Sequence, residues 1–495
     1  MKKLKRLLAM ELTVIISIQI YSNINVEVRA KSSKLTATQI LEDINVGWNL
    51  GNSLDSCVAN GRSVQTDNTA YFETAWGNPI VTKELIDLVH TAGFKAIRIP
   101  VTWYYNTYAN ESSDCNIRNA WMERVAQVVD YALANDMYVI LDSHHDNPII
   151  WAQLEDVGIV AKNTTDLWLQ IAVRFRDYDS RLMFEGFNEI NNKQNNWKYS
   201  NESAVACNYL NQVFVNTVRS TGGNNATRVL ICGTYICENS KTVLDSFILP
   251  VDSVDDRLIV DVHSYNVEYD QSVEELFVRL EEFSKRIKAP VIIGEFGSVN
   301  TYSPNDFRDI HAGNFVSRAA AHGIKCFWWD DGGKYKLFDR ITTSITQPAI
   351  IGLLMNPKPY QSVNTAKDRF TDISDYEYQT IDEKNGALVK AYKGALTLNV
   401  NKKGYKVEPG SSYRIKLETK SPGDGMCMNA IAFYDKNGKF ISFTKPSQYQ
   451  LYDIKAPENA QYMRVSFYNP WGYRTLQDFR NYFAAGNVYL EISKY

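Results

Sequence analysis

The sequence predicts an α/β protein: a (β/α)8 TIM barrel followed by a C-terminal all-β, sandwich-like domain. Three observations carry this. From Val46 to Met355, short apolar runs alternate with helical patterns, the signature of repeated βα units on a parallel sheet. The runs number eight over about 300 residues, a length that suits a closed barrel better than an open sheet. Beyond Pro357-Lys358-Pro359, the texture changes to short alternating runs broken by turn signals, which is the pattern of an all-β unit.

The N-terminus reads as an export signal. Lys2, Lys3, Lys5 and Arg6 precede an apolar stretch to Ile20, interrupted by Glu11, and Val28-Arg29-Ala30 offers a small-residue cleavage site. A signal peptide over 1–30, a secreted and extracellular protein, and a mature chain starting near Lys31 are therefore expected. The apolar part is shorter than the roughly 20 residues that a membrane span requires, and no other segment qualifies. No membrane association is expected once the signal is cleaved.

The strand candidates, in order, are Val46 to Leu54, Lys95 to Trp103, Tyr138 to His144, Leu182 to Glu189, Arg228 to Tyr235, Leu258 to Tyr265, Pro290 to Gly297 and Ile324 to Asp330. Helical patterns fall between them at Thr82 to Thr91, Ala120 to Ala134, Ser203 to Ser220, Val273 to Ile287 and Phe307 to His322, with a weak one at Lys241 to Phe247. The barrel domain is assigned to 31–357 and a polar linker to 358–375. The sandwich is assigned to 376–495, with strands at Ser412 to Thr419, Ala430 to Tyr434 and Tyr462 to Tyr468 and a hairpin cue at Lys436-Asn437-Gly438.

Composition narrows the function. Lys+Arg 53 against Asp+Glu 56 argues against nucleic acid as a partner. The 7 cysteines show no zinc-like pairing, their odd number leaves at least one unpaired, and no calcium loop appears, so no metal or other cofactor is expected. The supply of flat rings, Trp 10 and Tyr 30, suits stacking on sugars as well as ordinary core filling. A monomer is expected.

Barrel enzymes build their sites at the C-terminal ends of the strands, so the residues there matter most. Two apolar runs end on a glutamate: Phe184-Glu-Gly-Phe-Asn188-Glu189 and Ile293-Gly-Glu295. A strand-closing glutamate is often only a rim charge, but two of them on one barrel share a face and converge across its mouth. Paired carboxylates on one face are what glycoside hydrolysis needs, one protonated for the leaving oxygen and one ionised. The other ends supply Asn52, Arg98, His144 with His145, Asn188, His263 with Tyr265, and Trp328 with Trp329. Arg98 beside a glutamate would hold it ionised. Tyr265 would donate to the same group, Asn188 suits a sugar 2-hydroxyl, and Trp329 offers a flat face to a pyranose, with Trp328 as the alternative.

Taken in order, Gly47-Trp-Asn-Leu-Gly-Asn52, Ile97-Arg-Ile-Pro-Val-Thr-Trp103, Leu141-Asp-Ser-His-His145, Phe184-Glu-Gly-Phe-Asn-Glu189, Val262-His-Ser-Tyr265, Ile293-Gly-Glu-Phe-Gly297 and Phe327-Trp-Trp-Asp330 resemble glycoside hydrolase family five. Glu73-Thr-Ala-Trp-Gly-Asn-Pro79 is most similar to its endoglucanase branch. The resemblance covers about Thr36 to Met355. It implies a (β/α)8 fold, Glu189 as acid/base, Glu295 as nucleophile and retention of configuration. It further implies supporting roles for Arg98, His144, Asn188, His263, Tyr265 and Trp329, and sugar-cleft positions for Asn52, Trp76 and His145. Asp330-Asp331-Gly332 departs from the family's frequent Asp-Asn-Gly. The C-terminal unit carries no matching motif, and its texture fits a carbohydrate-binding sandwich and a structural β-module about equally.

Two other classes compete. A metal-dependent hydrolase would use His144, His145, Asp146 and His263, but adjacent histidines on one strand point to opposite faces. A sugar-binding protein without catalysis would not need both glutamates. The expected partner is a plant cell-wall β-glucan: internal cleavage of β-1,4-glucan in a groove lined by Trp76, Trp103 and Trp329, with xyloglucan, mixed-linkage glucan and mannan as alternatives. Cleft loops such as Tyr104 to Cys115 and Asn191 to Tyr199 would decide among them.

Overall fold

The structure, a computed structural model, describes residues 35–58, 61–64, 66–108, 115–265, 271–299, 308–357, 368–419, 425–446, 450–470, 472 and 474–494. The signal segment, residues 109–114 of the first cleft loop, residues 358–367 of the linker, and Phe307 lie outside them. Two compact units result, one holding 35–298 and 309–357 and the other 368–494.

In the first unit, eight parallel strands close in chain order into a barrel. They are β1 (Gly47–Leu50), β2 (Ala96–Ile99), β3 (Tyr138–Asp142), β4 (Leu182–Glu185), β5 (Leu230–Gly233), β6 (Leu258–His263), β7 (Val291–Phe296) and β8 (Lys325–Asp330). All eight fall within the predicted runs, and most stop short of the predicted C-terminal ends. Closure is made by β1 against β8, with Asn49 opposite Trp329 on one side and Arg98 on the other. Gly47 permits this closure, because a Cβ there would sit 2.0 Å from the Phe327 ring.

The predicted helices form at Lys83–Thr91, Asn119–Leu133, Asn201–Ser220, Lys241–Ser246, Gln271–Ile287 and Arg308–Ala321. Thr82 caps the first of these through the Leu85 N–H and Ser200 caps the third through the Ser203 N–H, each satisfying a donor that the helix leaves free. The sequence pattern does not predict the helix Val157–Arg174, because Gly158, Asn163, Thr164 and Thr165 break its apolar stripe. It forms because tertiary burial overrides propensity. Trp168 packs against Phe214 with ring centroids 4.6 Å apart and donates to the Gly186 carbonyl at 3.0 Å. The short helix Ala37–Asp43, held by a capping box between Thr36 and Gln39, buries Ala37, Ile40 and Leu41 in one cluster with Ile140, Met183, Ile231, Ile259, Ile292 and Phe327 from the strands. An apolar floor therefore fills one end of the barrel, and Asn49, Arg98, Asp142, Glu185 and Asp261, all wholly buried, fill the layer above it.

The second unit stacks two antiparallel sheets around one core. One sheet has the order Asp368–Phe370, Val488–Lys494, Ser412–Thr419 and Leu451–Lys455. The other is built on Tyr462–Tyr468 between Ala395–Leu398 and Cys427–Tyr434. Ile415, Leu417, Tyr452, Leu490 and Ile492 from the first sheet and Leu396, Met428, Ile431, Val465 and Phe467 from the second bury together. The hairpin cue holds: Gly438 turns with φ +79° between Cys427–Tyr434 and Phe440–Thr444. The linker assignment needs correction for 368–375. Asp368–Phe370 pairs with Leu490–Ile492, and Ile373–Asp375 is a 3-10 turn with Asp372 accepting from the Ser374 N–H. Three residues at a sheet edge are too short to show a period of two. The unit is also not purely β, since Thr475 caps a helix, Leu476–Ala484, that buries Phe479 and Phe483.

Candidate active site

The geometry around Glu295 starts from a bulge. Val262 pairs with Ile293 but the next residue, His263, pairs with Glu295, so Gly294 is an extra residue in β7. A bulge re-aims the side chain that follows it. Gly294 is tied on both sides, its N–H donating to Asp261 Oδ1 at 2.6 Å and its carbonyl accepting from Asn49 Nδ2 at 2.8 Å. Only glycine fits there, since a Cβ would lie 2.1 Å from Asp261 Oδ2.

Glu295 is 4% exposed. Its Oε1 accepts from Arg98 Nη1 at 2.8 Å and its Oε2 from the Tyr265 hydroxyl at 2.8 Å. Burial alone would raise this carboxyl, but the charges of His263 and Arg98 and the Tyr265 hydrogen bond outweigh it and hold Glu295 below the usual carboxylate range. It is the ionised member of the pair.

Arg98 is the hub. Besides Glu295, its Nη1 donates to Asn49 Oδ1 at 3.1 Å, its Nε and Nη2 fork onto Glu185 at 2.7 Å each, and Nη2 also donates to Asn188 Oδ1 at 2.8 Å. Asp142 Oδ2 lies 2.7 Å from the same Nη2. Burial pushes the Glu185 carboxyl up, and the charge and hydrogen bonds of Arg98 pull it back down. With its Oδ1 engaged by Arg98, Asn188 keeps its Nδ2 as a donor for a substrate.

Glu189 lies beyond the end of β4, on a segment held by the Asn188 N–H on the Ser143 carbonyl at 2.9 Å and the Ile236 N–H on the Ile190 carbonyl at 3.1 Å. Its Oε1 is 2.8 Å from His263 Nδ1, which also lies 3.6 Å from Glu295 Oε2. Glu189, His263 and Glu295 each place one polar atom within 4.8 Å of the others. Nearest atoms this close bring the two carboxyls together, in keeping with the short spacing of roughly 5 to 5.5 Å in retaining glycosidases. Burial would lower the His263 imidazole, but the charges of Glu295 and Asp261 hold it well above its ordinary value.

The other predicted residues sort into site and support. His144 bonds Asp142 Oδ2 through Nδ1 at 2.9 Å and lies nearly parallel to Trp329, at 6° with centroids 5.7 Å apart. Burial lowers His144 to about 3, so its ring is neutral. Trp76 is 42% exposed and tilts over His145 at 5.3 Å. Burial, then the neighbouring His144, lowers His145 to about 3. Asn52 turns the chain after β1 with φ +55° and accepts from Asn78 Nδ2 at 2.8 Å through its carbonyl. Trp328 is buried and donates to the Tyr335 carbonyl, so Trp329 is the ring at the mouth. Trp103 cannot be a stacking platform, because it is wholly buried and donates to the Asp142 carbonyl at 3.0 Å. Asp331 shapes its own turn by accepting from the Gly333 and Tyr335 N–H groups.

Contrary to expectation, His144 and His145 do not sit on opposite faces of a strand. β3 ends at Asp142, so His144 and His145 are past the pleat, and with Asp55 they bring ligand-type atoms within 4.8 Å of one another. Those atoms have other partners: Asp55 accepts from the Asn52 and Ser53 N–H groups, and His144 Nδ1 is on Asp142. Cys237, Asp261 and His263 form a similar group, in which the Cys237 thiol donates to the Asn188 carbonyl at 3.2 Å. All seven cysteines are free thiols.

Sequence reasoning missed Asn49, Asp142, Glu185, Asp261 and Gly294. Glycine within the apolar run before Glu295 was the readable signal for a bulge. Buried charges inside strands carry no periodic signature, and only the closed barrel brings them onto Arg98.

A parallel barrel whose C-terminal mouth carries an ionised glutamate beside a second carboxylate defines a glycoside hydrolase. Residues 57–334 match the family model Cellulase (glycosyl hydrolase family 5). The chain belongs to glycoside hydrolase family 5. It is 36% identical over 341 residues to Endoglucanase A of Clostridium longisporum, covering 64% of this chain and 64% of that protein's length. It is 33% identical over 353 residues to Endoglucanase A of Ruminococcus albus, covering 66% of this chain and 93% of that one. Its fold resembles a broad-specificity endoglucanase from Ruminococcus champanellensis with bound cellotriose, with TM-score 0.61, 35% identity, 66% of this chain and 100% of that one covered. A family 5 enzyme from Prevotella bryantii solved with a xyloglucan tetradecasaccharide gives TM-score 0.60, 30% identity and coverage of 66% and 99%.

Proposed function

We propose that this chain is a secreted, retaining endo-β-1,4-glucanase acting on cellulose or related β-glucans. The observation that carries the reading is the Glu189, His263 and Glu295 group, in which two carboxylates lie within 4.8 Å and share one imidazole. Glu295, ionised and aimed by Arg98 and Tyr265, attacks the anomeric carbon, while Glu189 delivers a proton to the departing glycosidic oxygen. The anomeric carbon is then esterified to Glu295. In the second step, Glu189 takes a proton from a water that attacks the face opposite the ester, where the leaving group departed, Glu295 leaves as a carboxylate, and configuration is retained. Asn188 Nδ2 donates to the sugar 2-hydroxyl, and Trp329 and Trp76 carry rings on either side of the bond that breaks.

Internal cleavage is supported by the exposed Trp76 and by the endoglucanase names of the relatives. Export is supported by the basic N-terminus and apolar run before Val28-Arg29-Ala30. Polysaccharide anchoring by the sandwich is supported by Tyr392, which is 96% exposed. Carboxymethylcellulose or barley glucan is expected to lose viscosity much faster than it gains reducing ends. Release of glucose alone from the outset would defeat the endo reading. Preferential cleavage of xyloglucan, the ligand seen in the Prevotella bryantii enzyme, would keep the mechanism and change the polymer.

A further inference from the structure

We propose that Glu185 is a positioning residue that aims the Arg98 guanidinium at Glu295 and thereby sets the ionisation of the nucleophile. This rests on the role proposed above for Glu295. Glu185 never meets substrate: it is wholly buried and ends β4 beside Asp142 of β3, four positions before Glu189. Its two oxygens accept from Arg98 Nε and Nη2 at 2.7 Å each. A guanidinium is planar and rigid, so fixing one edge by two bonds fixes the opposite edge as well. That opposite edge carries Nη1, which donates to Glu295 Oε1 at 2.8 Å.

The other groups around Arg98 cannot do this alone. Nη2 carries two hydrogens but faces three oxygens, from Glu185, Asn188 and Asp142, at 2.7, 2.8 and 2.7 Å. Asp142 is also held by the Val101 N–H at 3.0 Å and by His144 Nδ1 at 2.9 Å. Asn49 gives Nη1 a single bond of 3.1 Å, which leaves the plane free to rotate. Glu185 alone among these groups grips two nitrogens of the guanidinium.

Charge and aim predict opposite pH effects, which makes the proposal testable. If Glu185 acted only as a countercharge to Arg98, neutralising it would strengthen the positive field on Glu295 and lower the nucleophile's ionisation range. If it aims Arg98, releasing the guanidinium weakens the bond to Oε1 and raises that range. The experiment measures kcat and KM against pH for the full-length enzyme, Glu185→Gln and Glu185→Asp on an activated aryl β-cellobioside. Glutamine presents an amide N–H to one of the two donors, and aspartate keeps the charge but falls short of the fork. Both are expected to lose about 100-fold in kcat with KM little changed, as for a misplacement near 1 Å. In both, the acid limb of kcat/KM moves up by about half a pH unit or more. A limb that stays in place or moves down overturns the proposal. Should Glu185→Gln not fold, Glu185→Asp gives the same reading by itself. Turnover of the same glycoside by the unsubstituted enzyme tests the proposed function separately.

Discussion

The Tyr265 hydroxyl donates to Glu295 Oε2 at 2.8 Å, opposite the oxygen that accepts from Arg98. Each oxygen of the buried carboxylate thus has its own donor, and both donors favour the charged form. Glu295 is held below the usual carboxylate range, so the enzyme should stay active below the pH at which a free glutamate protonates, about 4.3. Tyr265→Phe removes one donor, so the range in which Glu295 is ionised shifts upward and activity is lost earlier on acidification. The acid limb of kcat/KM is expected to rise by about half a unit to one unit, and kcat to fall about 100-fold. A limb unmoved in pH would show that the hydroxyl does not tune Glu295.

Glu295→Ala should nearly abolish turnover. Azide should then restore cleavage of an activated glycoside and give the opposite anomer, because the small anion enters from the face that Glu295 vacates. Rescue with that stereochemistry at Glu189→Ala, and not at Glu295→Ala, would reverse the two roles.

Gly294→Ala should inactivate the enzyme, because the added Cβ would lie 2.1 Å from Asp261 Oδ2 and force the bulge out of shape. The loss should appear in kcat, with circular dichroism still reporting a folded barrel. A fully active alanine variant would mean that the bulge relaxes without moving Glu295.

The two tryptophans Trp76 and Trp103 should respond in opposite ways. Trp103→Ala leaves a cavity in the core and should cost about 3–5 kcal/mol of stability, read as a lowered Tm. Trp76→Ala should leave Tm nearly unchanged and raise KM for soluble glucan. Equal effects on Tm would contradict this division between core and cleft.

A chain ending at Pro357 should remain folded and active on soluble glucan, since each unit buries its own core. Retention of the full chain, but not of the shortened one, on insoluble cellulose would assign binding to the sandwich. Unfolding of the shortened chain would show that the barrel depends on the second unit.

Periodicity and the turn from apolar to polar residues make the barrel legible in the chain itself. Eight runs of buried character, each ending on a polar group, can satisfy their backbone only in a sheet covered on both faces, and their order placed Glu189, Glu295, Arg98, His263 and Tyr265 at one mouth. Those features depend on local pattern, which a linear chain displays. What the chain does not display is lateral register. Asn49, Asp142, Glu185 and Asp261 look like stray polar residues in apolar strands until closure sets them around one guanidinium and one bulge. Trp103 and Trp329 are alike in sequence, yet one is sealed behind β3 and the other faces His144. A side chain's direction at a strand end depends on where the ladder stops, and the ladder stops where neighbouring strands cease to pair. That is a property of the closed barrel, decided by tertiary structure and not by any one segment.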